Sequence, residues 1–533
     1  MVKMRLLSSF STTLAILKVT AAAPAPNGGN SKLVRPAKGL SKKEAKYAAA
    51  RKRKADQSLA SWLEKQGSFD TSSVPAVGFT SSGGGYRALL ETAGVFQGFD
   101  ARDSDVGTSG IYQGLTYEAG LSGGSWFLSS LAGNNWPTVT ALKTGLWEDA
   151  FQNGLLVPAN ILSVDDLTLY AQVSTDVVAK EAAGYDTTIV DPYGRLLSNQ
   201  LLLGDDGGVR TRLSGLTGLS KFMAHEVPYP IITIIAGFPD DGQCSPAIDG
   251  PQFEFHPYEY GSWDTGISAF ANTKYMGTDM TKGKPTDAEK CVQRYDNLGY
   301  VLGTSSNIFP GFCGVLEPDN STLPGVLESI LPHDPELDDV FGVYPNPFYK
   351  YPRSTLVEND AELTLADGGL AGQNVPIWPF IQSSAPRVDV LIANDNSADT
   401  DDNFPNGTEI RQTYLNAQAA GLSKMPFIPD VATFVDEGLN KRATFFGCGE
   451  PDAVMIVYLP NVNYTYPSNQ PTSKLQYSKK ETDGMIANGV QIATQNGEEG
   501  WPLCLACAIQ NDNGKAPKTK GCKACFKKYC YRQ

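Results

Sequence analysis

Short apolar runs alternating with segments of helical spacing set the pattern of this chain. Val77–Thr80, Ile231–Ala236, Val388–Ala393 and Val454–Leu459 have the composition of strands buried on both faces of a parallel sheet. Leu115–Ala119 reads as a further strand. Between these runs, Ala88–Phe99, Leu142–Phe151 and Leu167–Ala183 carry apolar residues at helical spacing. Strands alternating with helices predict an α/β layered fold. From about Asp240 to Asn359 the chain is rich in Gly, Pro and Tyr and its periodicity is weak. That stretch is expected to be an insertion that covers or shapes a site. No internal repeat occurs at solenoid or propeller periods.

A different apolar run opens the chain. Lys3 and Arg5 precede the mostly apolar Leu6–Val19, which Lys18 interrupts, and Thr20-Ala21-Ala22-Ala23-Pro24 follows. A basic start, an apolar run and small residues predict a secretory leader over residues 1–21, cleaved after Ala21. A frayed cytosolic N-terminus is the alternative. Residues 22–32 read as a flexible linker. The triplets at Asn320, Asn406 and Asn463 are glycosylation acceptors. Nine cysteines, five of them between Cys504 and Cys530, suit an oxidising compartment. No apolar tail precedes Gln533, so no lipid-anchor signal or membrane span is read there. The expected location is extracellular or at the cell wall.

Composition narrows the partners. The 533 residues include 23 Tyr, 23 Phe and 7 Trp, ample filler for a large core. A net charge of −13 disfavours nucleic acid as a partner. Residues 32–54 hold ten Lys or Arg and one acid, Glu44. They read as an exposed helix with a solvated basic face, or as a processing site at Arg51-Lys52-Arg53-Lys54. Cys504-x2-Cys507 and Cys522-x2-Cys525 have the spacing of a four-thiolate zinc site, but in a secreted chain disulfides are favoured. No metal or other cofactor is expected.

Three glycine-containing strings could carry chemistry. Gly120-Leu121-Ser122-Gly123-Gly124 matches G-x-S-x-G, a tight strand-to-helix turn that presents a serine hydroxyl. Ser82-Gly83-Gly84-Gly85-Tyr86-Arg87-Ala88 follows a strand and opens a helix, so its backbone N–H groups could meet an oxyanion, with Arg87 adding a fixed positive charge. It lacks the G-K-[ST] ending of a phosphate-binding P-loop. Leu365-Ala366-Asp367-Gly368-Gly369 taken alone is an ordinary turn. A Ser-His-Asp triad is the rival arrangement, with three histidines available, His225, His256 and His333. All three precede Asp367, whereas the α/β-hydrolase order ends on histidine.

In their order, these strings resemble the acyl hydrolases of the cytosolic phospholipase A2/patatin type. They are most similar to the fungal secreted lysophospholipase (phospholipase B) family. Leu33-Val34-Arg35-Pro36-Ala37, Gly372-Gln373-Asn374-Val375-Pro376-Ile377-Trp378-Pro379, Asn403-Phe404-Pro405-Asn406-Gly407 and Trp501-Pro502-Leu503-Cys504-Leu505-Ala506-Cys507 extend the resemblance. It implies a central mixed, mostly parallel sheet with flanking helices over residues 33–500 and a Cys-rich C-terminal extension over 501–533. It also implies Ser122 as nucleophile, Asp367 as general base, Gly84 and Gly85 as oxyanion donors, and Arg87 steadying a substrate phosphate. The implied partner is a lysophospholipid or phospholipid at a membrane or micelle surface. Another acyl ester, or a catalytically idle glycosylated binding protein on the same scaffold, are the alternatives. The family usually has a cysteine just before Leu33-Val34-Arg35, and this chain has none, which leaves its cysteine count odd.

Overall fold

The structure, a computed structural model, describes residues 32–532 apart from 155–163, 205, 240–243, 313–322, 329–330 and 334–336. The expected leader, nearly all of the linker and the Asn320 triplet lie outside the described residues. The strands are β1 (Val34–Pro36), β2 (Val77–Ser81), β3 (Leu115–Gly120), β4 (Tyr229–Ala236), β5 (Gln252–Phe255), β6 (Glu259–Ser262) and β7 (Ala269–Asn272), followed by β8 (Met280–Thr281), β9 (Lys284–Pro285), β10 (Gly342–Pro345), β11 (Glu362–Ala366), β12 (Val390–Asp395), β13 (Thr444–Phe446) and β14 (Met455–Pro460). Twelve of them form one mixed sheet in the order β1-β7-β6-β5-β4-β3-β2-β12-β14-β13, with β11 also paired to β4 and β10 to β11.

The five central strands, β4, β3, β2, β12 and β14, are all parallel. Every residue in them is buried, and apolar residues dominate β2, β4, β12 and β14, whereas β3 also buries Thr116 and Glu118. Helices flank this centre: α1 (Lys42–Gln66), α2 (Gly85–Phe99) and α3 (Gly123–Gly133) among them. Both α1 and α3 contact β3, and α2 packs along the helix Lys479–Thr494. The strand order jumps from β2 to β12, so the carboxyl ends of β3, β2 and β12 gather residues from distant parts of the chain. Open parallel sheets build their sites at such ends.

Three expectations change. The stretch from Asp240 to Asn359 is not simply a cover: β5, β6 and β7 extend the sheet antiparallel from β4, and β1 closes that edge. The basic segment does form a helix, α1, capped by Ser41, whose hydroxyl accepts from Glu44 N at 3.2 Å. Its face is not wholly solvated, however. Tyr47, Arg51, Ala55, Leu59 and Trp62 form a buried stripe at helical spacing. Arg51 donates to Leu115 O and Gln113 O at 2.7 Å and to Glu226 O at 2.8 Å. Finally, Leu142–Phe151 lies in a helical stretch, Val139–Asn153, that widens to a π turn at Lys143–Trp147. There Trp147 stacks on Phe151 with centroids 6.0 Å apart.

The zinc-like spacing is taken up by nested disulfides, Cys504–Cys525 and Cys507–Cys522, and Cys448–Cys530 ties the last residues to β13. Cys244 is also disulfide-bonded, and Cys291 is the buried free thiol. No helix among the described residues is long and apolar enough to cross a membrane.

Candidate active site

Ser122 sits between the end of β3 and the start of α3. Its backbone is at φ 52°, ψ −123°, a conformation that a residue with a β-carbon adopts only under strain. Several bonds hold it there. Its N–H lies 3.1 Å from both the carbonyl and the hydroxyl oxygen of Ser305, at the end of the helix Leu298–Ser305. The Ser305 hydroxyl in turn donates to Thr233 O on β4 at 2.8 Å. Behind the turn, the Ser122 carbonyl accepts from Ser125 Oγ at 2.7 Å and Trp126 N at 2.9 Å. The side chain is thus presented from a fixed backbone, only 5% exposed.

The glycine loop lies directly against this turn. A β-carbon on Gly123 would fall 2.1 Å from Gly85 O, so only glycine lets the two segments touch. One on Gly83 would fall 3.2 Å from Ser122 Oγ. Gly83 is clamped by Asn374, whose side-chain oxygen accepts from Gly83 N at 3.1 Å and whose amide nitrogen donates to Ser397 Oγ at 2.8 Å. Gly84, at φ 137°, turns the chain into α2. Among the described residues, the N–H groups of Gly84 and Gly85 have no acceptor, as befits the first turn of a helix. Two free donors beside a serine hydroxyl suit a developing oxyanion.

Asp367 arrives from another direction, at the end of antiparallel β11, with its N–H on Asn307 O at 3.0 Å. Its carboxylate accepts from Gly369 N at 2.8 Å and lies close enough to the Ser122 hydroxyl for that hydroxyl to lower its pKa. Burial pushes its pKa up to about 6, against the opposing effect of the Ser122 hydroxyl and Gly369 N. The Asp-Gly-Gly run is therefore a short 3₁₀ turn capped by Asp367, not a β-hairpin.

Arg87 lies in the first turn of α2 and is 1% exposed. It donates to Asn396 O at 3.0 Å, Gln470 O at 2.5 Å and Thr472 Oγ1 at 3.2 Å. A guanidinium has five N–H groups, so two remain beyond these three bonds. Burial lowers its pKa to about 10. A β-carbon on Gly84 would lie 2.6 Å from Arg87 Nη2, so the guanidinium backs the glycine loop. Close by, burial and then Asp395 push Asp399 up to about 7, an effect Arg87 opposes.

No histidine among the described residues hydrogen-bonds to Ser122. His256 is fully buried, bonded to Tyr229 Oη at 2.7 Å and 4.0 Å from Glu44 Oε2, and burial depresses its pKa to about 3. It belongs to a network in which Arg387 bridges Glu44 and Glu254 at 2.8 and 2.9 Å. His225 packs on Tyr47 in α1, its pKa lowered by burial and then by Lys54, Arg53 and Lys46. His333 pairs with Asp339 at 3.1 Å. Of the glycosylation acceptors, Asn463 is exposed, and Asn406 is half-buried, its side-chain oxygen accepting from Thr408 N at 3.0 Å.

Sequence reasoning missed Ser305, Asn307 and Thr233, which carry no motif; Asn307 and Thr233 act through backbone carbonyls, and Ser305 through its carbonyl and its hydroxyl. Asn374 stood inside a quoted string, without a role.

Comparison with known proteins gives the family. The family model of the lysophospholipase catalytic domain matches residues 77–533. Lysophospholipase 2 of Aspergillus fumigatus is 36% identical over 93% of this chain and 90% of its own length. Lysophospholipase 1 of Saccharomyces cerevisiae is 35% identical over 94% of this chain and 81% of its own. Human GIVD cytosolic phospholipase A2 superposes with a TM-score of 0.68 over 90% of this chain and 69% of that one, at 17% identity, a likeness of fold. The chain belongs to the lysophospholipase catalytic-domain family and is an enzyme of the carboxylic ester hydrolase class.

Proposed function

We propose that the protein is a secreted hydrolase cleaving the fatty-acyl ester of lysophospholipids, with diacyl phospholipids as a second substrate class. In this reading Ser122 is the nucleophile and Asp367 the base. The Asp367 carboxylate takes the Ser122 Oγ proton as Oγ adds to the ester carbonyl. Gly84 and Gly85 donate N–H groups to the resulting oxyanion. Collapse breaks the ester bond, and Asp367 returns the proton to the departing alkoxide. The acyl-enzyme is then attacked by water, which gives its proton to Asp367. Collapse of that second intermediate releases the fatty acid, and the proton returns to Ser122 Oγ. Arg87 faces the substrate phosphate with its two remaining N–H groups.

The observation that carries this reading is the Ser122 hydroxyl beside a buried carboxylate whose pKa is raised to about 6. A carboxylate is a weak base at its ordinary pKa, and burial moves it toward the working pH. Secretion rests on the leader pattern, the Asn-x-Ser/Thr triplets and the disulfides. The test is fatty-acid release from lysophosphatidylcholine by Ser122→Ala. Loss of a nucleophile that works with its base lowers the rate by about a millionfold. Retention of a tenth of wild-type activity would refute the assignment. N-terminal sequencing of the exported protein tests the leader, with Ala22 expected first.

A further inference from the structure

A cavity of about 300 Å³ lies between the helices Val164–Ala182 and Val190–Leu201 and the segments 209–212 and 292–300. None of its lining residues contributes to the Ser122 site. Its walls include Val177, Ala179, Ala183, Val209 and Val292. Around them stand five cationic side chains, Lys180, Arg195, Arg210, Arg212 and Arg294, against two carboxylates, Asp176 and Asp191. Such an excess is unexpected in a protein of net charge −13.

The internal pairings leave donors of two of these cations, Arg195 and Arg212, without an acceptor among the described residues. Lys180 Nζ is 2.8 Å from Asp191 Oδ1 and 4.1 Å from the centroid of the Tyr300 ring. Arg210 pairs with Asp206 at 2.6 Å. Arg195 is 7% exposed and reaches Asp176 through Nε at 2.8 Å. Its Nη2 donates to Asp206 O at 3.4 Å, whereas Nη1 is buried with no hydrogen-bond partner among the described residues. The Arg212 guanidinium makes no hydrogen bond among the described residues; burial raises the pKa of Asp296, and the Arg212 charge is the weakest of the effects that oppose it. A buried charged donor without an acceptor is unfavourable, and an anion supplies the missing partner.

We propose that this cavity binds a single-chain amphiphile with an anionic head. The carboxylate or phosphate head sits toward Arg195 and Arg212, and the alkyl chain runs along the wall from Val177 to Val209. The volume is at the lower end of small-molecule sites, so one chain fits and two do not. The inference rests on the lipid reading above only for the supply of such molecules. Its test is direct binding, which can fail independently of catalysis.

The experiment is calorimetric titration of the full-length protein with decyl phosphate and with decanoate, below their micelle concentrations. Decanol and inorganic phosphate are titrated beside them. Saturable binding of an alkyl anion is expected, weakened at least tenfold by Arg212→Glu and abolished by Ala183→Trp, which fills the cavity. Ester hydrolysis by both variants should stay at the wild-type rate, which also reports that they fold. Tighter binding of decanoate would name released fatty acid as the source, and tighter binding of decyl phosphate an anionic lysolipid; either supports the site. Unchanged affinity in both variants would overturn the proposal, as would decanol or inorganic phosphate binding as tightly as the alkyl anions.

Discussion

Replacing Asp367 by asparagine should make the protein more stable while removing its activity. The carboxyl is 2% exposed, and burial moves its pKa from 3.8 to about 6. Each pH unit of displacement corresponds to about 1.4 kcal/mol. Holding this group ionised in the fold at neutral pH therefore costs about 3 kcal/mol. The sign follows from proton counts. Between pH 4 and 6 the folded protein binds the proton and the unfolded chain does not, so stability falls as pH rises through that window. Above about pH 6 the full penalty is present, and below about pH 4 it vanishes. Asparagine keeps an acceptor for Gly369 N without a charge. The unfolding entropy of a chain this long is about 1 kcal/mol per degree, so Asp367→Asn should melt about 3 °C higher at pH 7.5. Scanning calorimetry of both proteins between pH 4 and 7.5 measures this, at one scan rate in case unfolding is irreversible. The gain should shrink steadily toward pH 4. A variant that melts at or below wild type at pH 7.5, or a difference independent of pH, would refute the burial argument.

Other outcomes follow from the same geometry. The rate of fatty-acid release should fall about tenfold per pH unit below 6, as the Asp367 base is protonated; a stopped assay against pH reads it. Asn374→Ala frees Gly83 and should lower kcat at least about tenfold with KM nearly unchanged, because the loss falls on an interaction of the transition state. Arg87→Lys should lower kcat/KM on lysophosphatidylcholine about tenfold more than on an uncharged butyrate ester, since a point charge cannot replace the planar fork. Replacing Cys448 and Cys530 by serine opens a loop of 82 residues and should lower stability by about 4 kcal/mol, measured by urea unfolding.

The parallel centre was legible because burial on both faces leaves unbroken apolar runs, and β2, β4, β12 and β14 all fall on such runs. The antiparallel edge was not. Strands such as Glu259–Ser262 and Ala269–Asn272 are four residues long, too short to display a period, and pairing with neighbours defines them. Within the site, Ser122, Gly84 and Gly85 stood out because tight turns and close approaches restrict the residue types that can occupy them, whereas Asp367 was reached only through the family resemblance. Ser305 left no trace in the sequence: it acts through its own carbonyl and an unremarkable hydroxyl at a helix end. Arg51 shows the limit of reading charge from composition. Inside a basic run it looked solvated, yet carbonyls of the β3 segment and of Glu226 take up its guanidinium.

That arginine also sets a clock for proteolysis. A processing enzyme needs several residues on either side of its target drawn out into an extended strand. In the finished fold, Arg51-Lys52-Arg53-Lys54 lies in the middle of a 25-residue helix, anchored by the four carbonyls that accept from Arg51. Extending it would unwind α1 and strip its buried stripe, Tyr47 and Trp62 included, from the core. Any cut at this tetrabasic run belongs to the interval before the chain folds, and a mature molecule that has folded is closed to it.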